Sequence, residues 1–110
     1  MSTNAQDALA AALDRMWVQY LPVMRERVAI LDAAARDFAA DQLPVTRHEE
    51  ASAAAHKLAG ICGTFGLTRA TVLARELELM YSRDNGPDRE MAETLTATTA
   101  ELSQLIESRK

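Results

Sequence analysis

The sequence predicts an all-α fold, an antiparallel up-down four-helix bundle with a short additional N-terminal helix. Three observations carry that prediction. Glycine and proline, four and three in 110 residues, are gathered at a few points, and the stretches between them are rich in Ala, Leu, Arg and Glu, which are good helix formers. Apolar residues recur at alternating steps of four and three, the period of one helix face. No stretch alternates apolar and polar residues as a half-buried strand does.

The first, short helix is expected over Asp7–Tyr20, with Leu9, Leu13, Trp17 and Tyr20 on one side. Leu21-Pro22 should end it, because a residue before proline is steered away from helical angles. A second helix then runs to about Asp41, with Met24, Val28, Leu31, Ala35 and Phe38 on its apolar stripe. The segment DQLPVT connects it to a third helix that opens with TRHE. There Thr46 is placed to cap the first turn and Glu49 to reach back, as in a capping box. This helix should continue to about Gly63, with Gly66 as terminator. A fourth helix, about Thr68–Ser82, buries Ala70, Leu73, Leu77 and Met80. SRDNGPD is a turn, since Asn-Gly and Gly-Pro both break helices. The last helix, about Asp88–Ser108, carries Met91, Leu95, Thr98, Leu102 and Leu105. Long amphipathic helices joined by short links pack antiparallel. Trp17 and Tyr20 read as core at the bundle's end, and the methionines as gap-fillers.

Length and composition fit one domain over residues 1–110, large enough to bury a core without staples. A formal charge of −4 argues against nucleic acid as the main partner. No apolar run approaches the roughly 20 residues of a membrane span, and MSTNAQDALA lacks the pattern of a signal peptide. The single cysteine, Cys62, forms no internal disulfide and fits a reducing compartment. A cytoplasmic protein is expected. Met1 and the size suggest a free-standing chain rather than a piece of a larger kinase, and a monomer is expected because a complete bundle leaves no obvious exposed stripe.

The stretch ASAAAHKLAGICGTFGL, Ala51–Leu67, departs from economy. Glycine inside a helix costs roughly 1 kcal/mol relative to alanine, yet Gly60, Gly63 and Gly66 follow one another at three-residue steps. At about 100° per residue, with Leu58 at the centre of the apolar stripe, Ala51, Ala54, Ala55, Ile61, Cys62 and Phe65 fall within about 60° of that centre. His56 falls about 160° away. Around it on the outer face lie Glu49, Ser52, Ala53, Gly60 and Gly63, most of them small. A water-facing helix surface has thus been cleared around one histidine. Either a partner must bring a reactive group and its backbone close to the imidazole, or His56 is an ordinary surface histidine beside glycines that reflect close helix packing or fraying.

These residues resemble the signature of histidine-containing phosphotransfer (HPt) domains: a histidine, an apolar residue two on, a glycine four on and a glycine ten on. Here they are His56, Leu58, Gly60 and Gly66. The family's antiparallel four-helix bundle, with its short extra helix at the start, matches the periodicity over nearly the whole chain. The resemblance implies a phosphorelay intermediate in two-component signal transduction. His56 would accept a phosphoryl group from an aspartate of a response-regulator receiver domain and pass it to another receiver aspartate. Gly60 would be the small neighbour that gives room. The implied partners are receiver domains and a hybrid sensor kinase, with magnesium bound by the receiver and no cofactor on this chain. Many members carry a lysine three residues after the histidine, where this chain has Ala59; Lys57 is a candidate to help electrostatically in its place. Arg75 and Glu78, on the next helix, stand where polar neighbours of the histidine are found, as candidates to orient the ring or as plain solvated charges. The expected docking face is Gly63, Ala59, Ser52 and Ala53 around His56.

Phosphoryl transfer needs an in-line nucleophile and charge stabilisation for the phosphoryl oxygens. The attacking atom would be Nε2, with Nδ1 oriented by a hydrogen bond. No G-x-x-x-x-G-K-[ST] loop or other nucleotide fingerprint accompanies it, so no autokinase activity is expected. A metal site from His48, Glu49 and His56 is excluded by spacing, because Glu49 and His56 are roughly 10 Å apart along the axis and ligands stand about 2 Å from an ion. Cys62 falls on the core stripe, where a free cysteine is inert packing. The competing reading is a non-catalytic helical interaction module that docks receivers or other proteins without carrying phosphate.

Overall fold

A computed structural model describes residues 2–109; Met1, read above as the start of a free-standing chain, lies outside them. Among the described residues four α-helices follow in order: α1 (Ser2–Ala39), α2 (Val45–Thr64), α3 (Thr68–Ser82) and α4 (Ala92–Glu107), with a 3₁₀ turn at Arg89–Met91 before α4. No strand occurs among the described residues. α1 packs on α2 and α4, and α3 completes the ring by packing on the same two helices. The expected up-down bundle is therefore present.

Its first element differs from the expectation. The two helices expected on either side of Pro22 are one, and α1 runs straight through the proline. A proline here removes the hydrogen bond to the Val18 carbonyl, but Val18 and Pro22 both lie on the exposed side of α1, so that carbonyl is not sealed in the core. On the other side Trp17 and Met24 are buried and Leu21 is half-buried. Continuing the helix keeps all three on the core, and burying side chains of this size is worth about 1.5–3 kcal/mol each. At about 1.5 Å per residue α1 is some 57 Å long, the full long dimension of the molecule. Residues 4–11 are all exposed, so the first turns of α1 extend past the bundle, and Leu9 is on the surface rather than in the core.

The capping box is also absent. α2 starts at Val45, with Pro44 in the capping position in an extended conformation and no side-chain cap. Thr46 is already inside the first turn. Proline fixes its own φ near the value this position needs, so it takes the entry that the threonine was expected to take. The exit of α2 matches its prediction. Gly66 sits at φ +72°, its N–H bonds the Gly63 carbonyl, and the Leu67 N–H bonds the Cys62 carbonyl. This is a Schellman ending, and its left-handed residue is most cheaply a glycine. α3 has the predicted bounds.

The core runs the length of the bundle through Met24, Leu31, Leu58, Leu77, Leu95 and Leu102, all fully buried. Ala51, Ala54, Ala55 and Cys62 are equally buried on α2, and their small size lets α1 and α3 approach closely. At one end Trp17 meets Phe65 edge to face at 5.1 Å, and the Arg109 guanidinium lies over both rings while bonding Asp14. Tyr20, expected in this core, is on the surface and touches Phe65 only edge-on. Its hydroxyl keeps it at the wet rim.

Candidate functional site

α2 and α3 run antiparallel, and the groove between them positions the candidate residues. Leu58 anchors the buried face of α2, which turns His56 outward. The His56 side chain is 76% exposed. Its Nδ1 lies 2.7 Å from Oε2 of Glu78 on α3. A carboxylate only accepts hydrogen bonds, so Nδ1 is the donor and the lone pair of the neutral ring sits on Nε2. That atom is the one facing solvent. Glu78 is itself half-buried, and Ser52 Oγ donates to its main-chain carbonyl at 3.5 Å.

Three hollows meet at His56. The largest, about 580 Å³, runs along the groove past Ser52, Ala53 and Glu78 to His48 and Arg83. The second, about 410 Å³, lies on the α1 side and is lined by Tyr20, Lys57, Gly60 and Phe65. The third, about 320 Å³, is bounded by Ala59, Gly60, Arg75 and Glu78.

The three glycines now separate. Gly66 serves the chain reversal. A methyl group added at Gly60 would meet no heavy atom within 4 Å, and one at Gly63 would only graze Thr71 Oγ1 at 4.0 Å. Neither is required for helix packing. Packing demands a glycine at neither position, and Gly60 leaves open surface beside the imidazole.

The groove gathers His56, Gly60, Arg75 and Glu78, with Ser52 and Ala53 beside them. Of the two residues expected to orient the ring, Glu78 hydrogen-bonds it and Arg75 does not. Lys57 falls on the opposite side, toward α1. Ala59, expected on the docking face, is only 4% exposed. Its direction, about 100° from the centre of the apolar stripe, is where α3 packs, so it forms floor rather than surface. Sequence reasoning missed Tyr20 as a site neighbour. An aromatic residue carrying a hydroxyl at a helix bundle's edge was the available signal.

His48 lines the far end of the largest hollow. Its ring rests against Gly86, where a Cβ would collide with it, and lies 6.4 Å from the Tyr81 ring. No cluster of three or more metal-ligating side chains exists among the described residues. Cys62 is buried, and burial pushes its thiol up to about 11, away from thiolate chemistry.

The family described as Hpt domain matches residues 15–108. The chain belongs to the Hpt domain family. Membership gives this Hpt domain a phosphotransfer role in two-component signalling. It is also 36% identical over 76 residues to Protein RcaC of Microchaete diplosiphon, an alignment that covers 69% of this chain and 12% of that protein. The chain thus spans a small fraction of the relative it matches. No solved structure matches it. Among the described residues no helix is long and apolar enough to cross a membrane.

Proposed function

We propose that this Hpt domain is a cytoplasmic phosphorelay intermediate and that His56 is its phosphorylated residue. The observation that carries the reading is the Nδ1–Glu78 hydrogen bond of 2.7 Å, which leaves Nε2 free in solvent beside Gly60. In the reaction, the Nε2 lone pair attacks the phosphorus of a receiver's aspartyl phosphate. The bond from phosphorus to the aspartyl oxygen breaks, and the aspartate carboxylate leaves with the electron pair. The ring becomes positive as the N–P bond forms, and the Glu78 carboxylate, already accepting from Nδ1–H, stabilises that charge. A second receiver's aspartate reverses the sequence and takes the phosphoryl group. Magnesium belongs to the receiver and is bound by none of these residues. Ser52, Ala53, Gly60 and Gly63 form the surface on which the receiver rests, with Lys57 at its α1 edge.

The test is transfer from a phosphorylated receiver. An acid-labile, alkali-stable phosphate should appear on the wild-type chain and not on His56→Gln. Label retained by His56→Gln would refute the assignment. Binding of receivers with no transfer from any of them would leave a docking module.

A further inference from the structure

We infer that Arg75 holds the phosphoryl group once it is on His56, an inference that rests on His56 being the phosphorylated residue. A phosphoryl group carries close to two negative charges near pH 7. On Nε2 its oxygens stand outside α2, on a chain of net charge −4, with the Glu78 carboxylate beside the ring. Such a group calls for a local cation.

Three cations border the hollows that reach His56. Arg83 is engaged elsewhere, 3.3 Å from Asp88 and 3.6 Å from the Met91 sulfur. Lys57 follows His56 on the same helix, so its stem leaves α2 about 100° further round, toward Tyr20. Arg75 stands on α3, one turn from Glu78, and no carboxylate lies within 4.0 Å of it among the described residues.

The register of the two helices singles it out. His56 pairs with Glu78, and Gly63 lies against Thr71. Midway between these contacts, Ala59 falls opposite Arg75. Ala59 ends at its Cβ and is buried, and Gly60 beside it has no side chain. Nothing from α2 therefore fills the hollow of about 320 Å³ that the guanidinium shares with the imidazole. A guanidinium offers paired N–H donors that match two phosphoryl oxygens. Ala59 and Arg75 are complementary, a minimal residue on one helix facing a long cation on the other.

Potassium phosphoramidate phosphorylates imidazole directly, releasing ammonia as the N–P bond to Nε2 forms, and so tests this without a receiver. The phosphorus-31 resonance of the product is titrated against pH. A guanidinium within reach favours the dianion, so the titration midpoint should rise by about 0.5–1 pH unit in Arg75→Gln and stay near wild type in Arg75→Lys. Adding Ala59→Lys to Arg75→Gln should bring it back down, and Lys57→Gln should move it by less than half as much. A midpoint in Arg75→Gln equal to wild type, or a larger shift in Lys57→Gln, overturns the inference. Absence of the phosphohistidine signal in wild type, or its persistence in His56→Gln, overturns the assignment of His56 instead, and Arg75's role with it.

Discussion

Nδ1 of His56, on α2, lies 2.7 Å from Oε2 of Glu78, on α3. The two residues come from different helices, so the ring's direction is set by bundle packing and not by the local rotamer of an exposed side chain. Leu58 and Leu77, both fully buried, fix the facing helices from below. The hydrogen bond selects one tautomer and leaves the reactive nitrogen outermost.

Glu78→Ala should therefore slow phosphoryl uptake by about ten- to a hundredfold, the size of effect expected when a reacting group loses its orientation. Glu78→Gln keeps an acceptor for Nδ1–H but loses the charge, and should fall between the alanine variant and wild type. Initial rates of transfer from a phosphorylated receiver measure both. Equal rates for Glu78→Ala and wild type would make the contact incidental.

Gly60 separates access from stability. Since an added methyl meets nothing within 4 Å, Gly60→Ala should fold normally and gain up to about 1 kcal/mol from helix propensity. Gly60→Gln should retain the bundle while slowing transfer at least tenfold, because its side chain stands where the receiver's backbone must come. Urea melts and transfer rates, measured together, check this. Loss of stability in either variant would return Gly60 to a packing role.

Stability should fall at alkaline pH through two buried groups. Burial raises the Cys62 thiol from 9.0 to about 11 and the Tyr81 hydroxyl from 10.0 to about 12. Between each pair of values the unfolded chain releases a proton that the folded chain keeps, so rising pH favours unfolding. The contribution of Cys62 is fully present below about pH 9 and is lost toward pH 11; that of Tyr81 is lost between about pH 10 and 12. Urea midpoints across pH 8–11 should decline, and less steeply in Cys62→Ala than in wild type. Parallel declines in the two proteins would contradict the prediction.

What the sequence made legible follows from the range of each signal. The outward direction of His56 and the bounds of α3 rest on helical period and on Gly66, both local, and both are found. Ala59 was misplaced because one helix's period says which residues are near the stripe, not on which flank a neighbour packs. The pairing of His56 with Glu78 lies beyond periodicity for the same reason: it depends on the α2–α3 register. Thr46 was displaced as a cap by Pro44, whose fixed φ begins the helix earlier. Tyr20 was assigned to the core because the chain was expected to turn at Pro22 and close the bundle there.

That same proline yields the last prediction. Its rule is local, whereas the helix around it is held by Trp17, buried more than a turn before it, and Met24, buried about half a turn after it. If packing sustains α1 against the missing hydrogen bond, restoring the bond should stabilise the protein without changing its shape. Pro22→Ala supplies an N–H to the Val18 carbonyl and relieves the proline ring, for an interior penalty of about 3 kcal/mol or less at this exposed position. The melting temperature should rise with helix content unchanged to within a residue or two by circular dichroism. A marked gain in helix content would mean instead that the native chain is broken at Leu21-Pro22. In that case the segment before the proline, with Tyr20 at its end, moves independently of the hollow beside His56.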